Sequence, residues 1–292
     1  MRVLILGGNG MLGHQLLISF QDKYEVKVTL KNALESYKPF GIFNSQNSIC
    51  NLDVLNYENL GNVISNFNPD IVINCIGIIK QREEVKDKGL CIEINSLFPH
   101  KLKAICDKFD VKMIHMSTDC VFSGNKGHYK ENDIADAKDF YGRSKYLGEL
   151  SDNNLLTIRT SILGLELIHK KSLIEWFLSQ SGEVKGFCNA IYSGLTTFEM
   201  ARIISSIIDN HQGLTGLLHV SSMPISKYKL LTMLADNLEL TNVRVVEEHN
   251  YYCDRSLDST LFSKFTGYIA PAWELMIEEL ALNIKNRIRG LV

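Results

Sequence analysis

The sequence predicts an α/β fold, a doubly wound parallel sheet covered by helices on both faces, with a smaller C-terminal α/β lobe. Three observations predict it. Short β-branched runs alternate with longer amphipathic stretches over the first 160 residues, the pattern of βα units. The runs Val3-Leu4-Ile5-Leu6 and Ile71-Val72-Ile73 are apolar at every position, as strands buried on both faces require. Gly7, Gly10 and Gly13 recur at i, i+3 and i+6 directly after the first such run.

The elements follow in order. Strands are expected at Arg2–Leu6, 25–30, 70–75, Lys112–Met116 and Leu155–Arg159, with a short third strand ending near Asp53. Helices are expected at Met11–Phe20, Tyr57–Phe67, 96–109 and 140–150. Beyond Thr160 the pattern loosens to helix 172–180, strand 183–187, helix Thr197–Asn210, strand 217–221, helix 226–238, strand 243–247 and helix 272–287. Residues 1–160 should form the nucleotide-binding domain, completed by about 188–222, with 161–187 and 223–292 as a substrate lobe.

Composition narrows the class. With Lys+Arg 31 against Asp+Glu 33, the formal net charge of −2 offers no cationic field for nucleic acid. The seven cysteines form no CxxC pair and no cluster with histidine, which argues against a disulfide scaffold or zinc ribbon and suits a reducing cytoplasm. Gly7-Gly8-Asn9-Gly10 interrupts the first apolar run too early for a signal peptide. The longest later run, near 71–79, is far short of the ~20 residues that span a bilayer. No membrane partner and no metal are expected, and His115, in an apolar strand, reads as a core residue with both nitrogens satisfied.

The glycine spacing has a physical use. Lacking Cβ, these residues permit a tight turn and close approach of backbone to a pyrophosphate, which the helix N-terminus then attracts. Met11 and Leu12 open that helix. The second strand ends in Val28-Thr29-Leu30-Lys31-Asn32, without the carboxylate that would hold the 2′-hydroxyl of NAD. Lys31 could pair with the 2′-phosphate of NADP, so NADPH is the favoured cofactor and NADH the alternative; an ordinary solvated lysine is the competing reading. Asp53, next to Val54, could bond the adenine amino group or cap the helix at Tyr57.

The segment Tyr141-Gly142-Arg143-Ser144-Lys145 places a phenol and an ammonium one helical turn apart. A neighbouring cation should lower the phenol's proton affinity and fit it for proton exchange. Upstream, Met113-Ile114-His115-Met116-Ser117-Thr118 runs a strand into a small-hydroxyl turn at the sheet's carboxyl edge, where such folds bind ligands. Thr118 could there bond the substrate carbonyl that Tyr141 protonates; Ser117 is the adjacent candidate, or else a structural hydroxyl.

Together these residues resemble the extended short-chain dehydrogenase/reductase family, with its Rossmann-type sheet, and within it the sugar-nucleotide reductases of the dTDP-4-dehydrorhamnose reductase group. The landmarks are Gly7 to Gly13, Asn68-Pro69-Asp70-Ile71-Val72-Ile73-Asn74, Ser117-Thr118-Asp119-Cys120-Val121-Phe122-Ser123-Gly124, and Tyr141 to Lys145 with Gly148-Glu149. Later echoes are Arg159-Thr160-Ser161-Ile162-Leu163-Gly164 and Asp254-Arg255-Ser256-Leu257-Asp258. The resemblance implies that Thr118, Tyr141 and Lys145 form a catalytic triad reducing C4 of a nucleotide-linked 4-keto-6-deoxy sugar, a precursor of bacterial surface polysaccharide such as O-antigen. It implies that Cys75, Ile76, Gly77 and Asn95 line the cofactor. Ser117, Asp119 and Arg255 would meet the nucleotide-sugar substrate, Arg255 at its diphosphate unless it pairs with Asp254 or Asp258.

Two departures matter. Cys120 stands where related 4,6-dehydratases carry glutamate, which disfavours dehydration. Gln15 stands near the position where some relatives dimerise through glutamate-bound magnesium, so no such metal is expected, and a homodimer is left open. The alternatives are a reductase of a UDP-linked N-acetylated 4-keto sugar, a 4-epimerase, and a non-catalytic NADP-binding subunit like that of methionine adenosyltransferase. Residues around 186–194 should flank the sugar pocket, and Lys80 and Arg82 read as surface charges.

Overall fold

The computed structural model describes residues 1–290. The chain runs β1 (Arg2–Leu6), α1 (Met11–Phe20), β2 (Glu25–Thr29), β3 (Ser48–Ile49), α2 (Tyr57–Phe67), β4 (Ile71–Asn74), α3 (Lys88–Cys91), α4 (Phe98–Lys108) and β5 (Lys112–Met116). It continues through α5 (Phe140–Leu147), β6 (Leu155–Arg159), β7 (Ile162–Leu163), α6 (Leu173–Leu178), β8 (Gly182–Tyr192), β9 (Leu195–Thr196) and α7 (Thr197–Asn210). It closes with β10 (Gly216–His219), β11 (Ile225–Ser226), α8 (Lys227–Leu238), β12 (Val243–Asp254), α9 (Thr260–Thr266) and α10 (Trp273–Ile288).

Seven strands pair in parallel in the order β10-β6-β5-β4-β1-β2-β3. Their apolar runs are buried on both sides. Val3, Ile5, Ile71 and Ile73 join one core with α1, α7 and α10, while Leu4, Leu6 and Val72 join a second with Leu60, Ile64 and Leu102 of α2 and α4. Each fully buried aliphatic side chain contributes about 1.5–3 kcal/mol, so two cores on one sheet fix the strand order firmly. The order reverses between β1 and β4, which opens a crevice at their carboxyl ends. Gly13 makes the first turn of that crevice: a Cβ there would stand 2.1 Å from the Gly7 carbonyl oxygen.

A second sheet, β11-β8-β12, carries α8 across it. Its buried side chains, Val184, Leu230 and Leu234 among them, belong to the same core as Val3 and Ile5. The lobe therefore has no separate core. The boundary expected at 187/188 falls inside β8, and β10 is the part of 188–222 that joins the large sheet.

Other bounds shift for visible reasons. The helix expected from residue 96 starts earlier, because α3 passes through a π-helical turn, Ile92–Leu97, into α4. The strand expected at 243–247 runs on to Asp254; a bulge between Glu248 and Tyr252 and four exposed residues from His249 to Tyr252 hid its alternation. The third strand ends at Ile49, four residues before Asp53. Among the described residues no helix is long and apolar enough to cross a membrane.

One buried ion pair ties the sheet to α5. Arg159, ending β6, bonds Glu149 through Nε at 2.8 Å and Nη2 at 2.7 Å, and both side chains are 4% exposed. Ser117 donates to the same carboxylate at 2.5 Å. His219 accepts from Arg159 at Nε2 (3.2 Å) and donates from Nδ1 to the Tyr129 carbonyl (2.9 Å); burial and the guanidinium push its pKa down to about 4, so the ring is neutral. Arg159→Leu would leave Glu149 buried and uncompensated, and is expected to cost about 3–5 kcal/mol in urea unfolding. The double variant Glu149→Leu/Arg159→Leu should cost less than that single change. A single variant as stable as the parent would contradict the assignment.

Candidate active site

A cleft of about 510 Å³ lies at the carboxyl end of the large sheet, walled on the other side by the lobe. Gly10, Met11 and Leu12 bring the N-terminus of α1 to its wall. No side chain caps that terminus, so its first amides are free to meet an anion. Cys75 and Gly77 follow from the loop after β4. Gly7 and Gly13 are absent from the lining; they let the turn pack behind it.

The remaining cofactor candidates lie away from the cleft wall. Ile76 and Val54 pack against the second core. Lys31 is exposed just past β2. Asp53 is exposed too, and its carboxylate accepts the Leu55 amide at 3.1 Å. The cap of α2 is Asn56, which accepts from the Asn59 amide at 3.1 Å, so Asp53 is not that cap. The Asn95 side chain is engaged within the protein. Fully buried in the π-helical turn, it accepts from the Ile78 amide (2.8 Å) and donates to the Ile78 carbonyl and the Ser144 hydroxyl (both 3.0 Å). It fixes the loop after Gly77 to α5.

Helix α5 delivers the phenol and the ammonium. Asp139 caps it by accepting the Gly142 amide at 2.9 Å, setting Tyr141 in the first turn and Lys145 one turn on. Gly142 is required by fit: a Cβ there would stand 2.2 Å from the Cys120 carbonyl oxygen, so the missing side chain lets α5 lie against the turn after β5. That contact puts the Thr118 hydroxyl beside the Tyr141 phenol, both on the cleft wall. Thr118 also accepts the Cys120 amide (3.1 Å) and donates to Asp119 (3.2 Å).

The electrostatics differ from the expected pairing. Burial pushes the Tyr141 phenol well above its ordinary range, Cys120, Asp119 and Asp139 push the same way, and Thr118 opposes them; burial, not the Lys145 ammonium, governs the shift. Lys145 is itself buried, beside Gly77, and donates to the Met116 carbonyl at 2.8 Å. Burial lowers its pKa to about 8, against the pull of Glu149 and Cys75. Buried carboxylate Asp119 is shifted up by desolvation, with Arg255 opposing. The Cys120 thiol is raised to about 12, chiefly by burial, and stays protonated.

The other candidates take different places. Ser117 reaches the cleft wall, but its hydroxyl is turned to Glu149, the structural role. Arg255 pairs with neither Asp254 nor Asp258; it lines the cleft, bonding the Phe122 carbonyl (2.9 Å) and the Cys120 sulfur (3.6 Å). Lys80 and Arg82 line the cleft as well, with Lys80 on Asp139 at 3.1 Å. His115 has only Nδ1 partnered, by Asn74 at 3.1 Å, while Nε2 has no partner. Gln15 bonds Ser19 at 3.1 Å.

The fold also brings together residues with no signal in sequence. Lys227, Tyr251 and Cys253 join the cleft from the lobe. Ligand atoms of Cys188, Glu247 and His249 lie within 4.8 Å of one another outside the cleft lining. The glycine-rich, polar stretch 186–194 was the one available hint, and Ala190, Ile191 and Tyr192 from it line the cleft.

Gly142→Ala should destabilise the protein by about 1–3 kcal/mol, because the Cys120 backbone cannot yield. Gly61→Ala, in α2 with no atom within 4 Å of the added methyl, should instead stabilise by up to about 1 kcal/mol. Equal effects in thermal unfolding would reject the close-approach argument.

Comparison with known proteins accords with this geometry. The profile of the RmlD substrate binding domain matches residues 1–282. A dTDP-4-dehydrorhamnose reductase of Aggregatibacter actinomycetemcomitans is 25% identical over 96% of this chain and 98% of its own length. Matches to a probable low-salt glycan biosynthesis reductase of Haloferax volcanii (28% identical) and a dTDP-4-keto-6-deoxy-D-glucose reductase of Streptomyces niveus (24%) cover 51% and 60% of this chain. There the chain spans only about half the relatives' length, 48% and 58%. Among solved structures, a dTDP-4-dehydrorhamnose reductase from Clostridium acetobutylicum superposes with a TM-score of 0.77 at 21% identity, covering 98% of this chain and 100% of that one. One from Bacillus anthracis, in complex with NADP, gives 0.76 at 22%, covering 97% and 99%. At such identities the structural likeness speaks for the fold. The profile match over nearly the whole chain speaks for descent, and the chain belongs to the RmlD substrate binding domain family.

Proposed function

We propose that this protein is an NADPH-dependent reductase of the C4 carbonyl of a nucleotide-linked 4-keto-6-deoxy sugar, acting in the making of a surface polysaccharide precursor. The observation that carries the reading is the meeting of Tyr141, Thr118 and the uncapped N-terminus of α1 on one cleft. A dinucleotide fits there, because the Gly7–Gly13 approach clears room for backbone to contact a pyrophosphate. The bound cofactor supplies the hydride.

The protein's own groups do the rest. Thr118 orients the carbonyl oxygen, and Tyr141 gives it a proton. Burial of the phenol keeps it in the acid form at neutral pH, the form that reduction consumes. Lys145, beside Gly77, holds the nicotinamide ribose. Lys31 is the cation available for the 2′-phosphate, with NADH as the weaker substitute. Arg255, Arg82, Lys80 and Lys227 line the cleft and give a diphosphate four positive partners. The lobe strands β8 and β12 would then choose the sugar. A neutral thiol at Cys120 offers no base for elimination, which favours reduction over dehydration.

The test incubates the protein with NADPH and a panel of dTDP-, UDP-, GDP- and CDP-linked 4-keto-6-deoxy sugars, following loss of absorbance. Oxidation of NADPH with at least one is expected. Tyr141→Phe should keep NADPH affinity and lose at least about 100-fold in turnover. Partner capture from cells with no oxidation on any member would favour a regulatory subunit instead.

A pH dependence follows from Lys145. Its pKa of about 8 in the fold lies below the ordinary 10.5, so the ammonium is present below pH 8 and lost as pH rises through that value. NADPH affinity should be flat near neutrality and weaken above pH 8, by up to about tenfold per unit. Lys145→Met should abolish the slope. A wild-type profile flat to well above pH 8 would remove Lys145 from cofactor binding.

A further inference from the structure

Away from the cleft, the lobe sheet gathers a thiol, an imidazole and a carboxylate. Cys188 Sγ on β8, and a ring nitrogen of His249 and a carboxylate oxygen of Glu247 on β12, all lie within 4.8 Å of one another. His249 Nε2 and Glu247 Oε2 are 3.1 Å apart. No spacing in the sequence announces this group, because Cys188 is far along the chain from the other two. Among the described residues no other three His, Cys, Asp or Glu side chains converge in this way.

Strand register explains the meeting. β8 and β12 run parallel with Glu247 opposite Gly186. Side chains alternate along a strand, so Cys188, two residues past Gly186, falls on the face of Glu247. The bulge after Glu248 brings His249 to the same spot. Helix α8 covers this face at Gly186, where a Cβ would stand 2.8 Å from the Tyr228 Cα. Tyr228 lies in the first turn of α8, so the cover runs out at that level; Glu247 and His249 are exposed and Cys188 is half-buried. The backbone beneath is held. Asn189 donates to the His249 carbonyl across the strands, and Glu248 accepts from the Asn250 amide and the Lys185 ammonium, each at 2.9 Å.

We propose that Cys188, Glu247 and His249 bind a zinc-class divalent cation, with water in the fourth position, and that the ion fastens β12 to β8 at the bulge. The donor set selects the metal: sulfur and imidazole suit zinc, whereas magnesium and calcium take shells of oxygen. Cys188 binds as the thiolate, its proton passing to solvent. Ligand bonds of about 2.0–2.3 Å draw the three atoms closer together, a movement that rotation of exposed side chains supplies. Tyr251 and Cys253 follow on β12 and line the cleft, so the ion steadies the strand that carries them there. The site stands whether or not the reductase reading does.

The test uses the metal alone on the full chain stripped of metal. The protein should take one equivalent of Zn²⁺ from a chromophoric chelator, and saturating Zn²⁺ should raise its Tm. Co²⁺ in its place should show an ultraviolet sulfur-to-cobalt charge-transfer band. Cys188→Ser should abolish that band and the rise in Tm. Cys188→Ser and His249→Gln should each weaken zinc at least about 10-fold, with far-ultraviolet circular dichroism as in the parent. Cys50→Ser, a change at a thiol near β3, should alter neither band nor affinity. A band that survives Cys188→Ser, or zinc uptake that neither variant weakens, would mark an adventitious ion only and overturn the proposal. Absence of zinc uptake by the parent overturns it outright.

Discussion

The site depends on a carboxylate and a guanidinium held out of water. Glu149 and Arg159 close a fork between the end of α5 and the end of β6, and Ser117 at the end of β5 joins the same carboxylate. Three elements that contribute to the cleft thus meet at one charge pair. The registration between the helix bearing Tyr141 and the strand leading to Thr118 is set there, and Gly142 completes it by admitting the helix to contact with the Cys120 carbonyl. An apolar contact of similar size would hold these elements together but would leave them free to slide; the bidentate geometry does not.

Burial then decides the proton states. The same exclusion of water that raises the Tyr141 phenol lowers the Lys145 ammonium, so both groups are moved toward their neutral forms. For the phenol that is the acid form used in reduction. For the lysine it is a pKa near working pH, at which proton occupancy responds to small changes in surroundings. Cys75 and Cys120 are held as thiols by the same cause, and they shape the cleft wall without entering its proton chemistry.

Much of this was legible in the sequence where a local rule was strong. The all-apolar runs, the glycine triplet and the Tyr141–Lys145 spacing each encode a constraint that acts within a few residues, and the sheet, the turn and the helix stand where those constraints put them. Lys80 and Arg82 show the limit. Nothing local distinguishes a cation on the cleft wall from a solvated one, because the difference lies in which distant segment covers it. The same holds for Asn95 and Ser117, whose side chains turned out to join elements of the framework.

By itself, then, the sequence determined the parallel sheet, the anion-accepting turn and the helix that carries phenol and ammonium, since strand burial, missing Cβ atoms and helical periodicity are short-range effects. Only the tertiary structure decided which face of β8 looks into the cleft, that the lobe shares the main core, and that Tyr192 and Tyr141 line one cleft. Those facts depend on packing between residues far apart in the chain, and packing has no signature in any single window of sequence.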